Sequence, residues 1–178
     1  MFEKLLTLAE RFYRAGRPGD AAQACLQALG LVPDHYETLG LLGALALEAG
    51  DRRLSAAAWR RMAVLRPDLP AGYAGLGGLL LDTGDAAGAV SCYRRADTLD
   101  PDDAANGFNL ALALKESGAP EAAAGGYRAV LARHPGYAEA AFNLGNVLMA
   151  LSRPDEAADA FSTALAADAG HARARLNL

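Results

Sequence analysis

Apolar and small residues return to the same places every 34 residues along the chain. With each stretch numbered from 1 and the first beginning at Phe2, position 7 reads Leu8, Leu42, Leu76, Leu110, Leu144 and Leu178. Position 8 is always small: Ala9, Gly43, Gly77, Ala111 and Gly145. Position 20 follows with Ala21, Ser55, Ala89, Ala123 and Ala157, and position 24 with Cys25, Trp59, Tyr93, Tyr127 and Phe161. Positions 4, 7, 8 and 11 follow the i, i+3, i+4, i+7 spacing of one helix face. Positions 20, 24, 27 and 28 follow that of another, so each stretch predicts two amphipathic helices.

The residues between these faces predict where the helices end. Gly16, Gly50, Gly84 and Gly118 occupy position 15, with Ser152 as the exception, and supply the left-handed residue that closes a first helix. Asp51 and Asp85 follow as N-caps, while Pro18, Pro120 and Pro154 fall in the first turn of a second helix, where a missing N–H costs nothing. Pro33, Pro67, Pro101 and Pro135 stop that helix. Small residues at positions 8 and 20 let paired helices approach, and large ones at 7 and 24 fill the space beside them. A period of this size means stacked supersecondary units that share a surface.

This combination of landmarks resembles the tetratricopeptide repeat family, whose pattern is small at 8, glycine at 15, alanine at 20, aromatic at 24, alanine at 27 and proline at 32. The resemblance covers nearly the whole chain. It implies an all-α fold, a right-handed superhelical solenoid of antiparallel helix pairs forming one domain over residues 1–178. The repeats would run 2–35, 36–69, 70–103, 104–137 and 138–171, with a partial sixth at 172–178. Position 4 departs from the family, since Leu5, Leu39 and Tyr73 give way to Gly107 and Ala141. Gly72, Gly75 and Gly78 inside one first helix should each cost on the order of 1 kcal/mol relative to alanine, which marks the third repeat as the softest.

Composition narrows the picture: 52% of residues are hydrophobic, 21% are charged, and the formal net charge is −4. Uncharged apolar runs such as 69–81 stop short of the roughly 20 residues a membrane span requires. The N-terminus enters a repeat at once and carries Glu3 and Glu10, unlike a signal peptide, so a cytoplasmic location is expected. Cys25 and Cys92 sit at helix positions of non-adjacent repeats and are read as unpaired packing residues.

No catalytic constellation, cofactor motif or metal site is read. His35, His134 and His171 lie in inter-repeat turns at wide spacing and read as solvated. Gly75, Gly77 and Gly78 lack the strand-turn-helix context of a dinucleotide site, and Asp100 to Asp103 reads as a turn and helix cap. The basic pairs Arg52 and Arg53, Arg60 and Arg61, and Arg94 and Arg95 raise nucleic acid as a partner, but the acidic total argues against it.

The arc of the first helices away from the core stripe, at positions 2, 5, 9, 12 and 13, is the candidate binding surface, because in the family it lines the groove. Leu6, Tyr13, Leu47, Leu81, Phe108, Leu112, Phe142 and Met149 make it apolar. Phe108 and Phe142 either face the groove or turn into the core to compensate for Gly107 and Ala141; both readings stand. Glu48, Asp82 and Glu116 at position 13 give an acidic edge suited to a basic partner. Asn109, Asn143 and Asn177 recur at position 6, joined by Asn146 at position 9. A file of carboxamides can bind the backbone of an extended peptide, and this one is similar to the asparagine ladder in O-linked N-acetylglucosamine transferases. Thr7, Leu41 and Gly75 restrict any ladder to the C-terminal half. The clamp with which chaperone-binding members hold carboxylate tails is missing.

The expected function is therefore a non-enzymatic protein-interaction module that takes a peptide or helix of a partner protein in its groove. The alternatives are a substrate-recruiting segment of a larger glycosyltransferase and a self-associating scaffold. A sixth helix that begins and stops reads as a piece of a longer protein, or as an apolar end that another copy covers through self-association.

Overall fold

The computed structural model describes residues 1–177; Leu178, the last of the position-7 leucines, lies outside the described residues. Eleven helices and no strand occur among the described residues. In chain order they are α1 (Phe2–Arg14), α2 (Pro18–Leu31), α3 (Tyr36–Glu48), α4 (Arg52–Leu65), α5 (Ala71–Asp82) and α6 (Ala86–Leu99). They continue as α7 (Ala104–Glu116), α8 (Pro120–Arg133), α9 (Ala138–Ala150), α10 (Pro154–Ala167) and α11 (Ala172–Leu176).

The turns obey the chemistry of their residues. Gly16, Gly50, Gly84 and Gly118 have φ between 68° and 82°, and Ser152 is forced to 58°. After α1 the Gly16 N–H donates to the Tyr13 carbonyl and the Arg17 N–H to that of Phe12, which satisfies the helix end in a Schellman motif. The same pair of bonds recurs at Gly50 with Asp51, Gly118 with Ala119, and Ser152 with Arg153. Asp51 accepts the Leu54 N–H and Asp85 that of Gly88, both at 2.9 Å. Pro18, Pro120 and Pro154 open their helices.

Two compact units result, Met1–Thr83 and Gly84–Leu178. In the first, α1 pairs with α2 and α3 with α4, while α2 lies on α3 and α4 on α5. Ala9, Ala21, Cys25, Leu42 and Leu45 form its buried centre, with Leu8 and Phe12 at the margin. Trp59 of α4 is wedged between glycines of two helices: a Cβ on Gly43 of α3 would lie 2.5 Å from the indole, and one on Gly75 of α5 would overlap it too. Gly72 is equally confined, since a Cβ there would lie 2.7 Å from the Ala63 backbone nitrogen. These glycines are therefore contact surfaces; their helix-propensity cost is exchanged for close approach of α4 and α5.

In the second unit α7 pairs with α8 and α9 with α10, α6 lies on α7, α8 on α9, and α11 on α10. Tyr127, Val130, Leu148 and Phe161 are almost wholly buried there. Gly145 carries the Phe161 ring much as Gly43 carries Trp59.

Candidate functional site

Positions 5, 6, 9 and 12 of the first helices project from α7 and α9 in the second unit and from α1, α3 and α5 in the first. Their environments differ more than their register suggests. Phe142 is only 7% exposed. Its ring lies 5.8 Å from Phe161 of α10 and 4.8 Å from His171, with the Arg173 guanidinium 4.8 Å above it. Of the two readings left open, Phe142 follows the core one, so this side chain is not available to a ligand. Phe108 is half-buried, 5.6 Å from Tyr127 and 5.3 Å from Tyr137. The space that a side chain at Gly107 would take is filled by Val130 of α8, with Asp97 and Arg133 beside it, so Phe108 settles against the two tyrosines instead.

The carboxamides remain on the surface. Asn109, Asn143 and Asn146 are half-buried. Asn143 uses one amide hydrogen to donate to the Glu139 carbonyl one turn back, at 2.8 Å. That leaves its second hydrogen and its oxygen uncommitted. Asn146 accepts from Asn177 at 3.3 Å, which ties α9 to the residue after α11. Leu112 is half-buried beside them and Met149 is 53% exposed.

The carboxylates of position 13 do not behave as three equal charges. Asp82 is held by Arg52 at 2.8 Å, and Glu116 by Lys115 at 3.0 Å. Glu48 is exposed and has no cation partner among the described residues. Leu81, at position 12 of α5, is half-buried, as is Leu47 of α3, while Tyr13 of α1 is 51% exposed.

Two features escape the periodicity. Lys115 stands at position 12 of α7 where other repeats carry apolar residues, and it places a cation directly on the arc. His35 and His171, which their spacing suggests are solvated turn residues, cap helices instead. His171 is 8% exposed and caps α11, its Nδ1 accepting the Ala174 N–H at 3.2 Å. His35 caps α3 in the same register, accepting from Thr38 N–H at 3.3 Å. Asp103, which caps α7 from the same position, is the sequence signal that could have revealed this. Glu139 lies 3.5 Å from His171 Nε2 and pairs with Arg173 at 3.0 Å.

Among the described residues no group of three or more His, Cys, Asp or Glu is placed to hold a metal ion. No helix among the described residues is long and apolar enough to cross a membrane.

Family comparison matches the tetratricopeptide repeat over residues 6–70, 41–104 and 108–178. No curated protein sequence matches the chain. Among solved structures, MamA is similar with a TM-score of 0.83 at 22% identity, covering 97% of this chain and 94% of that one. MamA of Desulfovibrio magneticus RS-1 gives 0.85 at 18% identity, covering 96% and 97%. YrrB, described as a tetratricopeptide repeat protein with an unusual peptide-binding site, gives 0.77 at 17% identity, covering 97% and 89%.

Proposed function

The chain belongs to the tetratricopeptide repeat family, and on that premise we propose that it is a non-enzymatic protein-interaction module holding an extended peptide of a partner protein along the exposed arc of α7 and α9. The observation that carries this reading is the set of half-buried carboxamides, Asn109, Asn143 and Asn146, flanked by Leu112 and Met149. An extended peptide offers alternating N–H and C=O groups, and a carboxamide can answer either. The apolar neighbours exclude water from those bonds and accept side chains of the peptide. Phe142 supports the arc from beneath, and Phe108 shapes its margin. Lys115 with Glu116 adds a polar boundary, and in the first unit Glu48 with Leu81 offers basic and apolar side chains a comparable surface.

The resemblance to asparagine ladders in other repeat proteins and the peptide-binding site described for YrrB both favour a peptide over other ligands. Acidic residues outnumber basic ones, 21 against 17, which disfavours a polyphosphate backbone.

Peptides selected from a random display library on the full chain provide the test, with affinities measured by fluorescence anisotropy. Each lost hydrogen bond is worth about 1 kcal/mol, so Asn109→Ala, Asn143→Ala and Asn146→Ala together should weaken selected peptides roughly a hundredfold while circular dichroism stays unchanged. Undiminished binding by this folded variant would refute the assignment.

A further inference from the structure

The first unit carries a cleft of about 350 Å³ between α4 and α5, lined by Arg52, Arg53 and Arg60 around Ala56, Leu79 and Leu80. It lies at the small end of ligand clefts, which run roughly 300–1,000 Å³. Its floor is apolar: Leu79 is 5% exposed and Ala56 9%. Thr83, at one end, turns its hydroxyl inward to the Leu79 and Leu80 carbonyls at 3.1 Å.

The rim is cationic in an uneven way. Arg52 is neutralised by Asp82, with its Nε at 2.9 Å and its terminal nitrogen at 2.8 Å from one carboxylate oxygen. Arg61, which faces elsewhere, is likewise paired, with Asp34. Arg53 and Arg60 are exposed and have no acidic partner among the described residues. They stand seven residues apart on α4, so both project from nearly one face, about 10 Å apart along the axis. An apolar floor between two uncompensated guanidinium groups is a pattern that solvation of a helix surface does not require.

We propose that this cleft is a second docking site, taking a segment of a partner protein in which an apolar residue is flanked by acidic ones. The apolar side chain sits on Ala56, Leu79 and Leu80, and each neighbouring carboxylate meets one guanidinium fork, the geometry in which arginine pairs most strongly. Charge complementarity selects the occupant. A nucleic acid strand is disfavoured because the cleft takes only a short segment and its floor is apolar. This site shares no residue with the carboxamide arc of α7 and α9, so the two stand or fall separately.

The test is an anisotropy titration of the full chain, at low salt, with a short fluorescein-labelled peptide centred on Glu-Leu-Glu. Saturable binding is expected. The pair Arg53→Gln and Arg60→Gln should weaken it at least about tenfold, since it removes both charge-assisted hydrogen bonds. Arg53→Lys with Arg60→Lys, which keeps charge and removes the fork, should lose less. Replacing the peptide leucine by glycine should weaken binding about tenfold through lost apolar burial, whereas Asn143→Ala should leave it unchanged. Absence of saturable binding overturns the proposal. So does equal binding by the Gln pair with unchanged helicity, indifference to the peptide leucine, or tighter binding of a single-stranded oligonucleotide than of the peptide.

Discussion

Replacing Gly75 by alanine is expected to destabilise the chain, against the ordinary preference of helices for alanine. In α5 the substitution improves helix propensity by about 1 kcal/mol. The new Cβ, however, would lie 2.5 Å from Cε2 of Trp59, where carbon atoms need about 3.5 Å or more. The indole cannot withdraw, because Gly43 of α3 holds it from the other side, also at 2.5 Å from a virtual Cβ. Overpacking of this kind costs about 1–3 kcal/mol, which leaves a net loss of up to about 2 kcal/mol once the propensity gain is subtracted. Gly125 in α8 is the internal control: it is exposed and nothing lies within 4 Å of its virtual Cβ. Gly125→Ala should therefore stabilise by up to about 1 kcal/mol. Urea titrations followed by circular dichroism report both, and fluorescence of Trp59, the sole tryptophan, reports the first unit alone. A cycle with Trp59→Ala isolates the clash, since Gly75→Ala should turn stabilising once the indole is gone. If Gly75→Ala stabilises the parent chain as Gly125→Ala does, the wedge described for Trp59 is wrong.

Two further outcomes follow from a helix cap and a buried thiol. His35→Ala should cost about 1 kcal/mol through loss of a helix cap and speed hydrogen exchange at the Thr38 amide. His35→Asp should restore protection, because an N-cap aspartate such as Asp51 accepts the N–H three residues on; exchange that ignores both substitutions rules out the cap. Burial pushes the Cys25 thiol up to about 11, so at pH 8 it is protonated as well as inaccessible. Iodoacetamide should leave Cys25 unmodified in the native chain and label it in urea, while half-exposed Cys92 reacts at an intermediate rate, as read by mass spectrometry.

The hairpin plan was legible in the sequence because each of its determinants is local. A left-handed glycine such as Gly50, a cap such as Asp51 and a proline such as Pro154 act through their own backbone within a few residues, and a repeated local signal needs no tertiary information. The family followed from the coincidence of these signals over 34 residues. The candidate site was legible only as a register. That Asn109, Asn143 and Asn146 share an exposed arc comes from helical periodicity, which sequence specifies. That Phe142 lies beneath it does not, since periodicity assigns a direction but not what meets the side chain there.

Tertiary structure decided the rest through contacts between residues distant in sequence. It converted Gly75 from a weak point in a helix into the surface against which Trp59 packs. It turned His171 from a turn residue into a buried cap packed against Phe142, and among the described residues it left Arg53 and Arg60 without a carboxylate while Arg52 and Arg61 found one. Sequence alone determined the helices, their ends and the periodic faces, because those energies are short-ranged. Which face is filled, which charge is compensated and which cleft stays open depend on volumes and distances between helices, and only the packed chain supplies them.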